Sequence, residues 1–218
     1  MVIGILIALQ INNWNEWKKD RIKEKEILGE IVVEIQTNVQ ILEQSLTFDK
    51  RWSKSYEIMM NVIREKPVWN DSLKIHVCTP LLATVPTISF SAYEFLRDKG
   101  VDIISNKSLQ KDIIALYEVN YGTMVTVMKR ILVENIKPLV PPFVTKRFVR
   151  SIENQSWGAY FPNDYEKLIN DQEYVNLLTY VQGYRIGSFN QFITNSLTES
   201  HRVVKLVAEE LDAGVIQN

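Results

Sequence analysis

The chain has 218 residues, 46% of them hydrophobic and 23% charged, with a formal net charge of −1. It is too apolar to be disordered and long enough for a real core, and its dispersed basic residues give no electrostatic reason to seek nucleic acid. The single cysteine, Cys78, can form no internal disulfide, so cysteine usage permits either side of a membrane.

The first element is an uncharged apolar run, Val2 to Ile11, that passes straight into amide, indole and charged side chains. Asn12, Asn13, Trp14 and Trp17 suit a membrane interface, where an indole keeps its ring in apolar surroundings and its N–H in water. At about 1.5 Å per residue the run covers roughly 15 Å, half of the hydrocarbon core that a spanning helix must cross. Spacing alone leaves three readings open: a buried core helix, a secretory hydrophobic segment, or the second half of a transmembrane helix whose first half is missing. The secretory reading is the weakest, because no positively charged region precedes the run and no small-residue cleavage site follows it.

From Glu16 to Lys66 there is no proline and one glycine, Gly29, while Leu28, Ile31, Ile35, Val39, Leu42 and Leu46 recur at steps of three and four. This predicts one long helix continuous with the apolar run, its stripe extended by Trp52, Tyr56, Met59 and Ile63 and ended by Pro67. Asp49 interrupts the seam, which allows a bend near Thr47 to Asp49. Between Asp71 and Ser105 the pattern breaks into two short helices, the second capped by Ser89 or Ser91 and closed by Gly100 in a left-handed conformation. Val101 to Ile104 reads alternatively as a brief extended segment.

Asn106 is placed to cap a second long helix, on which Leu109, Ile113, Leu116, Tyr117, Tyr121, Met124, Met128, Ile131 and Leu132 keep helical spacing. Pro138, Pro141 and Pro142 end or kink it. Ser151 to Asn163, with Trp157, Gly158 and Pro162, reads as a loop, and Asp164 to Asn170 as a turn of helix. Asp171 caps the last long helix, whose stripe comprises Ile186, Phe189, Ile193, Leu197, Val204, Val207 and Leu211 before a stop at Gly214.

Three amphipathic helices of roughly 30 to 50 residues hide their stripes only by packing lengthwise. The expected fold is therefore all-α, an elongated bundle of three long helices plus short ones, with the N-terminal helix continuous with a truncated transmembrane segment. The corresponding division is an anchor half-span over residues 1–13 and one helical bundle domain over 14–218.

The string VIGILIALQINNWNEW resembles the signature of a family of uncharacterised, membrane-anchored bacterial proteins of the Bacteroidetes type, defined only as a domain of unknown function. Ser91-Ala-Tyr-Glu-Phe-Leu, Gly100, Ile104-Ser-Asn-Lys-Ser-Leu and Ile114-Ala-Leu-Tyr117 resemble that family's internal pattern of a Tyr-x-x-Leu helix, a glycine turn and an Asn-Lys-x-Leu helix start. The resemblance implies a further apolar half-span before the motif, so that Met1 would lie inside the span through a late-called start codon or a trimmed chain. It also implies a single-pass protein of the bacterial inner membrane. Lys18, Lys19, Arg21, Lys23 and Lys25 exceed the acidic residues of Glu16 to Glu26 by one charge. Alone they hint at a cytoplasmic domain and contact with anionic headgroups; the family's basic N-terminal arm implies a periplasmic one.

The search for catalytic patterns returns none of the glycine loops, nucleophile elbows or paired-histidine helices that chemistry uses. His76-Val77-Cys78 offers two soft ligands without a second close pair to complete a metal site. His201 and Glu199, two apart, point to different helix faces. Tyr117, Tyr121, Tyr180 and Tyr184 read as core-edge aromatics with hydroxyls in water. Glu94, Arg97, Asp98 and Asp102 form the candidate interaction cluster, since helix neighbours and a residue just past a turn bring carboxylates together, and paired carboxylates do acid–base work once burial separates their pKa values.

No cofactor or metal is expected. The sequence points to a noncatalytic, membrane-tethered helical domain that binds a partner protein or small ligand, with membrane lipid as one partner through the anchor and a protein partner or homo-oligomer as another. The alternative is an enzyme or effector with an unrecognised site around residues 91–106.

Overall fold

A computed structural model describes residues 2–150 and 160–216. Helix α1 spans Val2–Glu65 without interruption, so Asp49 does not break it. It stops where Lys66 takes a φ of +50° ahead of Pro67. Three-residue-per-turn helices follow at Asp71–Ile75 and Thr79–Leu81, then α2 (Ser91–Lys99) and a similar turn at Val101–Ile103, in place of an extended segment. The chain continues through α3 (Lys107–Ile114), α4 (Gly122–Arg130) and α5 (Val140–Arg147), with π-helical stretches Ala115–Tyr121 and Ile131–Ile136 on either side of α4. Strands β1 (Phe148–Arg150) and β2 (Tyr160–Pro162) precede α6 (Tyr165–Ile169) and α7 (Gln172–Tyr184). A third π-helical stretch, Arg185–Phe189, leads into α8 (Asn190–Ile216).

The protein is thus all-α apart from one small hairpin. Strand β2 corrects only the end of the loop expected at Ser151 to Asn163, pairing antiparallel with β1 so that Val149 stands opposite Phe161. Residues 151–159 of that expected loop, Trp157 and Gly158 among them, lie outside the described residues. Gly214 does not stop α8, which runs to Ile216; glycine weakens a helix without breaking its hydrogen bonds. No helix among the described residues is long and apolar enough to cross a membrane, so a span at residues 1–13 is unsupported.

Two compact units emerge, a division that helix periodicity does not reveal. The first comprises residues 1–41, 88–122 and 196–218. Its core takes Leu28, Ile31 and Ile35 from α1, Tyr93 and Leu96 from α2, Leu109, Ile113, Leu116, Tyr117 and Tyr121 from α3 and the following π stretch, and Val203 and Val207 from α8. The second comprises residues 42–87 and 123–195, with Leu42, Trp52, Met59, Met124, Met128, Tyr174, Leu178 and Phe189 among its buried residues.

Local caps form where short polar side chains precede helices. Asn106 accepts from the backbone N–H groups of Ser108 and Leu109, Asp164 from that of Lys167, and Asp171 from that of Glu173. Helix α2 differs. Neither Ser89 nor Ser91 caps it; the carboxylate of Glu34, buried on α1, accepts from Ala92 N–H at 2.9 Å, Tyr93 N–H at 3.3 Å and Ser89 Oγ at 2.7 Å. One turn along α1, Asn38 closes a two-bond ring with the Ser89 backbone, accepting at 2.8 Å and donating at 2.9 Å. A charged acceptor at the positive end of a helix satisfies donors that would otherwise be stranded. Gly100 ends α2 with φ +98° and ψ 117°, positive in φ as expected but outside the left-handed helical turn.

Replacing Glu34 with Ala leaves these donors without an acceptor in a buried site. We expect a loss of about 1–3 kcal/mol in urea unfolding followed by circular dichroism, with Glu34→Gln, which retains one acceptor oxygen, losing clearly less. Equal losses for the two variants would contradict the capping role.

Candidate functional site

Along the first five turns of α1 every side chain among the described residues is exposed. Ile3, Ile5, Ile7, Leu9 and Ile11 are all more than half exposed, as are Trp14 and Trp17. Successive odd positions step by about 200° around a helix, so these side chains fall on two opposed arcs and make no single stripe. Every residue from Leu9 to Asp20 is exposed. Asn12 donates to Glu16 at 3.2 Å, and Lys18 lies 5.4 Å from the Trp14 ring centroid. The four expected interface residues therefore form one exposed amide and indole band, bounded by apolar turns on one side and charged turns on the other. Burial begins at Glu24, whose carboxylate accepts from the Ser105 backbone N–H at 2.7 Å and pairs with Arg21.

The carboxylates of the expected cluster do not converge. Glu94, Arg97 and Asp98 stand exposed on α2, and no ion pair joins them among the described residues. Asp102 turns instead to Lys107 at 2.8 Å and Gln110 at 3.4 Å, and these hydrogen bonds hold its carboxyl below the usual range. Exposed carboxylates in high dielectric lack the burial that separates pKa values for acid–base work. No group of three or more potential metal ligands occurs among the described residues. His76 lies 3.0 Å from Ser55 through Nδ1, with its pKa lowered by burial, while burial pushes the Cys78 thiol well up. Both act as packing groups here. His201 is exposed.

The tyrosines divide. Tyr180 is 39% exposed and Tyr184 half-buried, as expected, but Tyr117 and Tyr121 are fully buried, correcting their reading as core-edge residues. Tyr117 stacks on Tyr93 at 4.6 Å with rings 5° apart, and meets Tyr121 edge-on at 5.4 Å. Tyr121 shares a hydrogen bond of 2.6 Å with Ser200, and burial pushes its hydroxyl up to about 12.

A polar centre absent from the sequence reading lies in the second unit. Arg185 is 2% exposed, where the stripe had placed its neighbour Ile186, which is 59% exposed. The π-helical stretch that begins at Arg185 adds residues to each turn and rotates the face, so the guanidinium turns inward and the isoleucine outward. Arg185 donates to Gln182 Oε1, to Pro80 O at 3.1 Å and to Leu82 O at 2.7 Å, with Trp52 5.5 Å away. Its Nε lies 3.6 Å from Asp49 Oδ1. Burial raises the Asp49 carboxyl to about 6, against the pull of Arg185, and lowers Arg185 to about 10. Arg185 thus holds the Pro80–Leu82 backbone through neutral acceptors, and Asp49 contributes charge balance more than hydrogen bonds. The single signal in the sequence was Asp49 on an apolar seam.

Comparisons with protein-family models, with curated proteins and with solved structures find no match to this chain.

The native state binds a proton at Asp49 near pH 6, whereas the unfolded chain binds it near the ordinary value of 3.8. Between those values the native state holds more protons, so the Asp49 contribution to stability falls as pH rises. Asp49→Asn, which mimics the protonated acid, should therefore gain on the parent in urea unfolding by about 1–3 kcal/mol between pH 4 and pH 7.5, over and above the pH-independent cost of removing the charge that balances Arg185. Arg185→Met strands the Pro80 and Leu82 carbonyls and an uncompensated carboxylate, and should destabilise by about 3–5 kcal/mol at pH 7.5. Equal destabilisation by both variants would contradict this division of roles.

Proposed function

We propose that this chain is a noncatalytic helical domain held at a membrane by the apolar end of α1, where it binds a partner protein. The observation that carries the tether is the exposure of Ile3, Ile5, Ile7, Leu9 and Ile11 around the helix, directly below the Asn12 to Trp17 band. Apolar exposure on one side would suit one groove; exposure on two opposed sides suits a solvent that surrounds the helix, and lipid is such a solvent. Ten residues at about 1.5 Å each reach roughly one leaflet deep. Each isoleucine or leucine moved out of water gains on the order of 1.5–3 kcal/mol, while Trp14 and Trp17 rest at the headgroup layer. The resemblance of this motif to the membrane-anchored bacterial family supports the same reading, with an inner-membrane anchor and the helical units on the periplasmic side.

Sedimentation with phosphatidylcholine vesicles tests the tether. The chain should pellet with vesicles, and Ile5→Asp combined with Leu9→Asp should lower partitioning at least tenfold, because each charge enters hydrocarbon, while leaving the thermal melt of the helical units unchanged. A parent chain that stays in the supernatant, or a double variant that pellets equally, would refute it.

A further inference from the structure

We propose that the groove between α1 and α2 docks a basic amphipathic helix of a partner protein, an inference that rests on the partner-binding reading above and names the partner's chemistry. The groove lies wholly within the first unit, is shallow and open, and has a volume of about 970 Å³. Gly29, Val33, Ala92 and Phe95 line it, with Val33 64% exposed and Phe95 44% exposed. Nothing lies within 4 Å of the position a Gly29 side chain would occupy, so a second backbone can approach closely there.

Charge selects the occupant. Glu26, Glu30 and Glu34 stand at four-residue steps on α1 and all line the groove; no lysine or arginine lines it, although the Lys99 ammonium lies 5.4 Å from the centroid of the Phe95 ring. Glu34 is engaged in capping α2, but Glu26 and Glu30 are exposed and form no ion pair among the described residues. An apolar strip beside two uncompensated carboxylates one turn apart complements a helix with apolar side chains on one face and Lys or Arg beside them. From Glu26 to Thr37 is about 16 Å along α1, three turns of a docked helix.

Other occupants fit less well. The first unit holds none of the described strands, so an extended peptide finds no sheet edge for its backbone. A second copy pairing through the same face would bring Glu26 and Glu30 of both copies into one interface, four carboxylates whose like charges oppose association. A small molecule would remain largely in water in so open a site.

The probe is a stapled 14-residue synthetic helix with leucines at positions 3, 6, 7 and 10 and lysines beside them, together with its Lys→Glu counterpart. Fluorescence anisotropy is read on the full chain bound to phosphatidylcholine vesicles, with vesicle attachment and the thermal melt measured on the same samples. The lysine peptide should bind saturably and lose at least tenfold in affinity to Glu26→Lys combined with Glu30→Lys, and again to Val33→Glu. The glutamate peptide should bind the double lysine variant and not the parent. Equal binding of both peptides, affinity unmoved by the variants, or a homodimer dissolved by Val33→Glu would overturn the proposal. Loss of vesicle attachment by the parent chain would instead count against the tether, so the two failures are distinguishable.

Discussion

Apolar surface on a helix has to leave water, and α1 meets that constraint differently at its two ends. From Ile27 onward its isoleucines and leucines are covered by other helices of the same chain, and Leu28, Ile31, Ile35 and Leu42 are almost fully buried. From Leu9 to Asp20 every residue is exposed, and so are Ile3, Ile5 and Ile7 of the apolar run before it. The change takes place within two turns, at Arg21 and Glu24, where the chain ties α1 to Ser105. A lipid environment for the exposed end would satisfy the same constraint that folds the buried end, and the proposed function follows from that asymmetry.

Polar groups decide which of several apolar packings is adopted. Glu24, Glu34, Asn38 and Asp49 are all buried on α1, and each meets a partner from a distant segment. Leucine and isoleucine contacts alone tolerate a helix sliding by one turn, about 5.4 Å. Such a slide would carry these carboxylates and the amide into apolar surroundings without partners, at a cost of several kcal/mol. The arrangement at Arg185 works similarly, but by different means: the guanidinium is satisfied by carbonyls of Pro80 and Leu82, and the weaker contact to Asp49 balances its charge. The satisfied cation therefore anchors the end of the single short turn Thr79–Leu81, which has few backbone hydrogen bonds of its own.

The exposed groove at Gly29 and Val33 belongs to the same logic. On α1 the buried side ends at residues such as Ile31 and Glu34, and the adjoining side carries Val33 and Glu30 with no further helix over them. Because α2 is held in place through Glu34, the second wall of the groove is fixed by the same carboxylate that caps that helix. Packing and the proposed recognition thus meet at one side chain of α1, Glu34, which caps α2 and lines the groove.

Much of the local structure was legible in the residues. Asn106, Asp164 and Asp171 cap helices through atoms two or three residues away, so their role needs no knowledge of the fold. The apolar steps on α1, the stop before Pro67 and the exposed composition of Asn12 to Trp17 are likewise short-range properties. The carboxylate cap of α2 comes from a residue 58 positions from the N–H it accepts, and the Arg185 contact to Leu82 spans 103. The π-helical stretch at Arg185 exchanged the positions of a cation and an isoleucine that helical spacing had assigned the other way. Sequence by itself determined where most helices begin, part of the stripe each buries and where an oily end meets amide and indole, because these depend on neighbours along the chain; on α8 the buried line runs through Ser196, Ser200 and Val203, with Leu197 and Val204 at its edge. Only the tertiary structure decided which polar groups are buried, how the chain divides into two units and which surfaces stay open, because those depend on partners that periodicity does not name.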